Sequence, residues 1–264
     1  MGKLKDSVLK LKTPAEIEIL RAGGRRLTEI IRVLIREVRP GVTTAALEQL
    51  ARRQIKQAAG RPSFLNYRPA AVPPSAGPFP TALCVSVNDE VVHGIPGERV
   101  LLAGDIVSLD LGLEYEGLFT DMAVTVPVGR VSAAAANLIR VTARALKLGI
   151  AAARPSARLG DIGAAIEQFV TARGFGLVRE FGGHGVGFRV HEEPEVPNYG
   201  RAGQGLELEP GLVIAIEPMV TVGDGAVNIA ADGFTVRTED NSLAAHFEHT
   251  IAVTEQGPEI LTRI

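Results

Sequence analysis

The chain has 264 residues, 46% of them hydrophobic, and its formal net charge at pH 7 is −2, from 28 basic and 30 acidic residues. This length and apolar content suffice for a large core, in one big domain or in two fused halves. Neither sign of charge is gathered into a long block, which argues against nucleic acid or a membrane surface as the main partner. A single cysteine excludes an intrachain disulfide framework and a cysteine-rich zinc module. No apolar run reaches membrane-spanning length, so we expect a soluble cytoplasmic protein.

Two helices are predicted near the start of the chain, after a short extension at residues 1–12. Thr13-Pro14-Ala15-Glu16 has the form of a capping box with proline at the first helical position. Apolar residues at helical spacing continue to Val38, and Pro40-Gly41 ends the run. A second helix is predicted from about residue 43 to residue 59.

A proline-rich stretch follows at residues 61–80. It is predicted to be an exposed or rim-forming loop, because so many prolines oppose regular ladder pairing. A strand is predicted at residues 83–87, a turn at residues 88–90, and a short return strand at residues 91–93.

Residues 107–126 are typical of a β-hairpin with one carboxylate on each arm, Asp110 and Asp121. A turn at Tyr115-Glu116, closed by Gly117, would make the two aspartates direct cross-strand neighbours, with Cβ atoms roughly 4.5–5.5 Å apart. Two like charges at that distance destabilise a hairpin unless one is protonated or a cation lies between them. Two surface aspartates on an edge hairpin are the alternative. The apolar flanks favour a buried hairpin and a cation site.

A third helix is predicted at residues 132–153 and a fourth at residues 161–174. They repeat the first pair, because residues 45–50 match residues 164–169 at an offset of 119, and the same offset carries the first helix cap onto Ser132. Duplication favours a site at the junction between halves. The predicted halves of the single domain are about residues 13–130 and 132–264.

The remaining segments are strands and turns. Residues 181–187 form a glycine-rich approach to residues 188–194. An apolar strand at 212–216, a hairpin at 227–238 turning at Asp232-Gly233, and a last strand at 246–253 are predicted after them.

Four acids therefore stand in core-like strands: Asp110, Asp121, Glu217 and Glu248. Each alone could be a strand-end or solvent-facing carboxylate, but the set calls for a common explanation. Oxygen-rich clusters with one imidazole suit two divalent ions of manganese, iron, cobalt or zinc. A lone magnesium or calcium site would not call for histidine.

The histidines leave more than one interpretation open. His184 lies between glycines, where its ring is unencumbered, or it caps a carbonyl in a turn. His191 would lie on the opposite face of a flat strand, so the two need not share a role unless residues 185–187 bend the chain. His93, at a strand end, could be a core histidine. Cys84, inside an apolar run, is expected to line the core or a pocket. No role is assigned to His246 and His249.

Seven short segments, taken together and in order, carry a family resemblance. They are Cys84-Val85-Ser86-Val87-Asn88, His93-Gly94-Ile95-Pro96, Gly104-Asp105-Ile106-Val107 with Asp110 and Asp121, Gly183-His184-Gly185-Val186-Gly187, His191-Glu192-Glu193-Pro194, Ile216-Glu217-Pro218-Met219 and Phe247-Glu248-His249-Thr250. From about Leu11 onward the chain resembles the type I methionine aminopeptidases. The resemblance implies the duplicated α/β (α+β) pita-bread fold, an antiparallel β-sheet core covered by two pairs of helices related by pseudo-twofold symmetry.

The resemblance also implies a dinuclear metal site. Its ligands would be Asp110, Asp121, His184, Glu217 and Glu248, which would hold two divalent ions of cobalt, manganese, iron or zinc. Asp121 and Glu248 would bridge the ions, Asp110 would complete one, and His184 with Glu217 the other. Glu217 is the expected proton shuttle, and His93 and His191 would contact the substrate around the scissile peptide.

By the same resemblance, five residues would line the pocket for the methionine side chain. They are Phe64, Tyr67, Phe79, Cys84 and Phe234. Two departures from the family bear on this pocket: residues 68–78 are longer than usual, and Val190 stands where an aromatic residue is common. Only 25 residues separate His191 from Glu217, which leaves no room for the insertion of the type II enzymes.

The expected activity is removal of initiator methionine from nascent polypeptides, with a small second residue, by attack of a metal-bridging hydroxide. The expected partners are nascent chains that begin with methionine; a transient association with the ribosome stays open, and we expect a monomer that binds neither nucleic acid nor membrane. The alternatives are an Xaa-Pro peptidase of the same fold, which usually carries an extra N-terminal domain, and an inactive pita-bread binding module, which typically lacks metal ligands.

Overall fold

The computed structural model describes residues 9–68 and 77–264. Within them, a pair of helices precedes each of two groups of strands. The helices are α1 (Pro14–Glu37), α2 (Thr44–Gln57), α3 (Ala133–Ala152) and α4 (Leu159–Thr171). The strands after the first pair are β1 (Arg61–Pro62), β2 (Leu83–Val87), β3 (Glu90–Val92), β4 (Ile106–Tyr115) and β5 (Leu118–Pro127). Those after the second pair are β6 (Gly176–Leu177), β7 (Gly183–Gly185), β8 (Glu192–Val196), β9 (Val213–Ile216), β10 (Met219–Thr221), β11 (Val227–Ile229), β12 (Val236–Thr238), β13 (Ala244–His246), β14 (His249–Thr254) and β15 (Gly257–Ile260).

The first three helices begin where the sequence predicts. The hydroxyl of Thr13 accepts a hydrogen bond from the backbone N–H of Glu16, and the Glu16 carboxylate accepts one from the backbone N–H of Thr13, so the capping box is formed. Thr43 and Ser132 cap α2 and α3 through their hydroxyls in the same way.

The fourth helix begins at Leu159, two residues before the predicted start at Asp161. The Asp161 carboxylate lies at the third helical position and accepts a hydrogen bond of 2.7 Å from the backbone N–H of Arg158. Aspartate is common both as a cap and inside the first turn, so residue type alone placed the boundary too late.

The predicted common offset between the helix pairs holds only for the first helix of each pair. Thr13 and Ser132 are 119 positions apart, whereas the residues that precede α2 and α4, Thr43 and Arg158, are 115 apart. The reason is that α3 has 20 residues and α1 has 24, a difference of about one helical turn. The order of elements repeats, and the division into two halves stays a prediction.

The strands β4 and β5 form the predicted hairpin around a different turn. The turn residues are Glu116 and Gly117, rather than Tyr115 and Glu116. Both have positive φ, 50° and 81°. A type I′ turn requires positive φ at both central positions, and glycine adopts it without strain at the second.

This turn changes the pairing of the two aspartates. Asp110 lies opposite Ala123, and Asp121 lies opposite Gly112, so the predicted direct pairing of Asp110 with Asp121 is wrong. The two side chains are diagonal neighbours on one face of the hairpin, still close enough for their carboxylates to meet.

All strand pairs in the described residues are antiparallel. β4 pairs with β5 on one side and with β1 and β2 on the other. A five-stranded sheet has the order β15-β14-β9-β7-β8, and two small sheets have the orders β13-β10-β6 and β11-β12-β3. The return strand predicted after β2 is therefore β3, and it pairs with β12. The predicted antiparallel core covered by two helix pairs is confirmed.

Threonine hydroxyls join β5 to the later strands. The hydroxyl of Thr250 accepts from the N–H of Asp121 at 2.9 Å and donates to its carbonyl at 2.8 Å. Thr125 makes the same two contacts with the backbone of His246, each at 2.8 Å. The N–H of Glu248 donates to a β5 carbonyl at 2.9 Å. These bonds hold Asp121 beside Glu248.

The predicted last strand, residues 246–253, is two strands with a break at Phe247-Glu248. Glu217 lies in the matching break between β9 and β10. At each break the backbone passes between the five-stranded sheet and a three-stranded one. The two glutamates therefore stand where strands leave their sheets. For Glu217 this agrees with the predicted strand end at residue 216, whereas Glu248 was predicted inside the strand 246–253.

One hydrophobic core lies beneath each helix pair. The first core includes Leu27, Ile31, Leu34, Leu47, Ile55, Leu83, Leu109 and Leu111. The second includes Leu138, Leu146, Ile162, Ile166, Ile214, Ile216 and Ile251. The site described below lies where the strands of the two cores meet.

The stretch at residues 61–80 is only partly the predicted loop. Arg61-Pro62 forms β1 and pairs with β4, so proline is tolerated there at a sheet edge. Residues 69–76, with three of its prolines, lie outside the described residues, as do residues 1–8 of the N-terminal extension. No helix in the described part of the chain is long and apolar enough to cross a membrane.

Candidate metal centre

Five side chains meet in the candidate metal centre, and three features of the backbone place them. Asp110 and Asp121 project from one face of the β4–β5 hairpin. Glu217 and Glu248 stand at the two strand breaks, and His184 is the middle residue of β7. All four carboxylates are buried.

The ligand atoms form overlapping groups of three, within each of which all atoms lie within 4.8 Å of one another. One group is Asp110, Asp121 and Glu248, and a second is His184, Glu217 and Glu248. Glu248 belongs to both, so its carboxylate lies between two potential cation positions. These first two groups together are the five ligands that the sequence resemblance implied. A third group joins Asp121 and His184 with His191, a residue that the resemblance placed at the substrate rather than among the ligands.

The electrostatics of the four carboxylates fit divalent cations. Burial, with the charge of Glu217 added, raises the pKa of Asp121 to about 8, and burial raises the pKa of Glu217 to about 7. Burial and neighbouring carboxylates raise the pKa of Asp110 and of Glu248 well above the usual range. Oδ1 of Asp110 and Oε1 of Glu248 are buried without a hydrogen-bond partner. Buried oxygens without donors are what a cation would satisfy.

His184 has the geometry of a metal-binding imidazole. Its Nδ1 lies 2.9 Å from the carbonyl of Gly185, so the tautomer with the proton on Nδ1 donates to that carbonyl. Its Nε2 then keeps a lone pair and lies 3.5 Å from Oε1 of Glu217. A backbone partner on one ring nitrogen fixes the orientation in which the other binds a metal.

His184 and His191 come together, because the chain turns back between β7 and β8. Their ring centroids are 4.3 Å apart in an edge-to-face arrangement. The open alternative that residues 185–187 bend the chain is therefore the correct one. His191 also packs against Tyr67, with centroids 4.9 Å apart.

His93 lies at the other side of the site. Its backbone has φ of 59°, a left-handed conformation that is uncommon outside glycine and often found at functional sites. Burial, with neighbouring histidines added, lowers the pKa of His93 to about 4, and burial also lowers the pKa of His191. Both rings are therefore neutral near pH 7 and can each donate one N–H.

All five predicted pocket residues line one cavity of about 690 Å³ that also contains the metal-ligating groups. Phe64, Phe79, Cys84 and Phe234 are buried, and Tyr67 packs on them. Burial raises the pKa of the Cys84 thiol well above its usual range, consistent with a role in lining the pocket rather than as a nucleophile.

Some residues of the site carry no role in the sequence analysis. His246 is buried, and its Nε2 lies 3.2 Å from Oε2 of Glu217, although neither ring nitrogen meets hydrogen-bond geometry with any partner. The sequence offers one local signal for His246. It stands two residues before Glu248 in the run predicted as a single strand, and residues two apart in a strand share a face. Val190, Ile95 and Phe119 join the pocket cluster.

Comparison with known proteins agrees with this geometry. The model of metallopeptidase family M24 matches residues 18–255. Methionine aminopeptidase 1 of Bacillus subtilis is 45% identical over 253 residues, which is 96% of this chain and 98% of that protein. The crystal structure of methionine aminopeptidase from Thermotoga maritima superposes with a TM-score of 0.92 at 42% identity, over 97% of this chain and all of that one.

A more distant structure shows the fold alone. Prolidase from Pyrococcus furiosus has a TM-score of 0.75 at 20% identity, over 97% of this chain and 66% of that one. The family match and the full-length similarity of the nearer relatives identify the family without it. The chain belongs to metallopeptidase family M24, and within that family to the methionine aminopeptidases.

Proposed function

We propose that the protein is a type I methionine aminopeptidase that removes the initiator methionine from nascent polypeptides. The observation that carries the proposal is the cavity in which two groups of metal-ligating atoms, sharing Glu248, open directly onto an apolar pocket. This arrangement places a hydrolytic centre beside a space for one apolar side chain.

Two divalent cations of manganese, iron, cobalt or zinc fit the five ligands. Asp110, Asp121 and Glu248 would hold one cation, and His184 and Glu217 with Glu248 would hold the other. When bound, such cations lower the pKa of a water molecule and polarise a carbonyl. The free α-amine of the substrate would lie beside Asp110. The Asp110 carboxylate would attract this amine and so restrict cleavage to the first residue.

One side chain of the protein would transfer the proton, and two others would stabilise the negative charge that develops. The carboxylate of Glu217 lies in the cavity beside His184 and would take a proton and return it to the leaving amine. The neutral rings of His93 and His191 lie within the same cavity and would donate N–H groups to the scissile carbonyl oxygen as negative charge develops there. The low pKa of both rings keeps them donors rather than charged competitors of the cations.

Selectivity for methionine would come from the pocket. Its walls are aromatic rings and one thiol, and buried apolar surface of this kind favours an unbranched thioether side chain. A small second residue is expected from the family resemblance. The 25 residues between His191 and Glu217 support type I, since the type II insertion has no place there.

The same proposal includes the setting in which the protein acts. Its substrates would be nascent chains in the cytoplasm that begin with methionine. The protein would act as a monomer, and a transient association with the ribosome would bring it to these chains. The near-neutral charge of the chain supports neither nucleic acid nor a membrane as a partner.

An Xaa-Pro peptidase is the second candidate within the same fold. The prolidase similarity supports it only at the level of fold, and this chain covers about two thirds of that protein. An inactive binding module is disfavoured because all five ligand residues are present and converge.

The test compares hydrolysis of Met-Gly-Xaa and Ala-Pro-Xaa peptides by protein that is metal-free or supplied with Mn²⁺ or Co²⁺. We expect metal-dependent cleavage of the first peptide only, two ions per chain, and loss of about hundredfold or more in kcat for Asp121→Asn. Glu195→Gln is the matched control, because Glu195 lines the same cavity but belongs to neither ligand group. Full activity in metal-free protein, or in Asp121→Asn, would contradict the dinuclear mechanism, and cleavage after alanine before proline would favour the second candidate.

A further inference from the structure

A buried lysine from the N-terminal segment reaches the loop that carries His191. Lys12 is 4% exposed, and within the described residues it is the only lysine or arginine that is buried. Its backbone N–H donates to the carbonyl of Gly211 at 2.7 Å, which fixes the segment at residues 9–12 to the approach to β9. Its ammonium group forms an ion pair with Glu192, 180 positions further along the chain.

Glu192 closes the loop between β7 and β8. While one of its carboxylate oxygens receives Lys12, the other accepts the backbone N–H groups of Phe188 at 3.1 Å and Arg189 at 3.0 Å. One side chain therefore fixes both ends of the short stretch that leads into His191. Charge-assisted bonds of this kind are among the stronger ones in proteins.

The loop also leaves space for the side chain of Lys12. Gly187 has φ of +136°, and a Cβ placed there would come 2.5 Å from Cε of Lys12. The absence of a side chain at Gly187 therefore leaves room for the lysine stem. The ring of Phe188 lies under two lysines, with Nζ of Lys10 at 3.8 Å and Nζ of Lys12 at 5.0 Å from its centre.

We infer that Lys12 is a positioning residue for His191, acting through Glu192. If its charge is removed, Glu192, whose side chain is only 16% exposed, keeps a half-buried carboxylate without its cation, which is unfavourable. The carboxylate then turns toward water and releases the two N–H groups that hold the loop. His191 loses its fixed place against His184. The His184 ring is still held by the bond between its Nδ1 and the carbonyl of Gly185, and the four carboxylates lie on other segments, so the five metal ligands keep their places. This inference rests on the proposed role of His191 at the scissile peptide.

The experiment measures kcat, KM and metal affinity in the full chain for Lys12→Met, which keeps the length and apolar stem of the side chain. Lys10→Met is the matched control, because Lys10 touches the same ring but has no ion pair in the described residues and is exposed. We expect kcat to fall about tenfold to hundredfold in Lys12→Met, as a displacement of about 1 Å would cause, with KM and metal affinity within about twofold. Lys10→Met should match the native protein. If Lys12→Met does not fold, Glu192→Gln is measured instead. Its amide has one acceptor oxygen, whereas Lys12 and the two loop N–H groups use different oxygens of the carboxylate, so it should show the same loss confined to kcat.

A cycle with His191→Ala separates positioning from general damage. Once the ring is gone, Lys12→Met should change kcat by less than about twofold further. Native kcat in folded Lys12→Met, a parallel loss of metal affinity, or a full multiplicative loss on top of His191→Ala would each overturn the inference. If His191→Ala itself keeps native activity, both the proposed role of His191 and the inference fail. If His191→Ala is impaired and Lys12→Met is not, the inference alone fails.

Discussion

In the absence of metal, the free energy of unfolding should fall as the pH rises. Most acidic side chains have the opposite effect on stability. The pKa of Glu217 is raised from 4.5 to about 7 and that of Asp121 from 3.8 to about 8 in the fold. Between about pH 4 and pH 8, the folded chain therefore holds protons that the unfolded chain has lost. When the folded state binds more protons, the free energy of unfolding falls as pH increases.

The raised pKa values set the size of this effect. One pKa unit corresponds to about 1.4 kcal/mol, so Glu217 alone would account for a loss of roughly 3 kcal/mol across this range. Asp121 has the larger shift, but the two carboxyls titrate as a coupled group and their contributions do not add. A total of about 3–6 kcal/mol is a large share of the 5–15 kcal/mol typical of a folded domain. Divalent cations bind the ionised carboxylates, so the stability that they add should grow over the same pH range.

The assay is urea unfolding followed by circular dichroism at pH 5, 6.5 and 8, in chelator and in excess Mn²⁺. Asp121→Asn is the comparison, because it replaces a titrating carboxyl with a neutral amide of the same shape and should flatten the pH dependence in chelator. Titrating groups outside the cluster of four carboxyls affect both proteins and cancel in the difference. The reasoning is refuted if metal-free native protein gains stability from pH 5 to pH 8, or if the variant has the same slope.

Three further changes have distinct expected outcomes. Gly94→Ala would place a Cβ 2.3 Å from a carbonyl oxygen of β2. We expect a loss of about 1–3 kcal/mol in unfolding free energy, measured by denaturant titration, and a lower kcat in peptide kinetics because His93 is displaced. Phe64→Ala removes a buried wall of the pocket and should lower the unfolding free energy by about 3–5 kcal/mol. It should also reduce the ratio of kcat/KM for Met-Gly over Leu-Gly peptides. An unchanged ratio would place the methionine side chain elsewhere. His246→Leu should weaken metal binding about tenfold to hundredfold in calorimetric titration, since it removes the ring beside Glu217, whereas unaltered binding would make His246 a packing residue only.

The sequence predicts the helices, apart from the start of the fourth, and it names five residues that converge in the cavity, but it does not predict the register of the hairpin. The two candidate turns keep Asp110 and Asp121 on the same face, so the alternation of apolar residues is identical in both. What separates them is the need for positive φ at both turn positions, which Glu116 and Gly117 meet. Similarly, an apolar run through Glu248 looks continuous in sequence, because nothing local shows that the backbone changes sheets there.

Contacts between distant segments were beyond sequence reasoning for a different reason. His246 lies against Glu217 and Lys12 against Glu192 only because the strands and the N-terminal segment fold back on one another. A buried lysine and a buried histidine have no periodic pattern of their own. The family resemblance supplied the roles of the ligands, but it gave none to these two.

The threonine contacts between β5 and the later strands bear on the order in which the site can form during synthesis. Asp110 and Asp121 leave the ribosome in one hairpin, whereas Glu217 follows Asp121 by 96 residues and Glu248 by 127. Until Thr250 has been made, the N–H and carbonyl of Asp121 lack the hydroxyl that bridges them in the finished fold. The growing chain therefore carries part of the candidate cation site for nearly half of its translation, and that site is among the last features of the molecule to be completed.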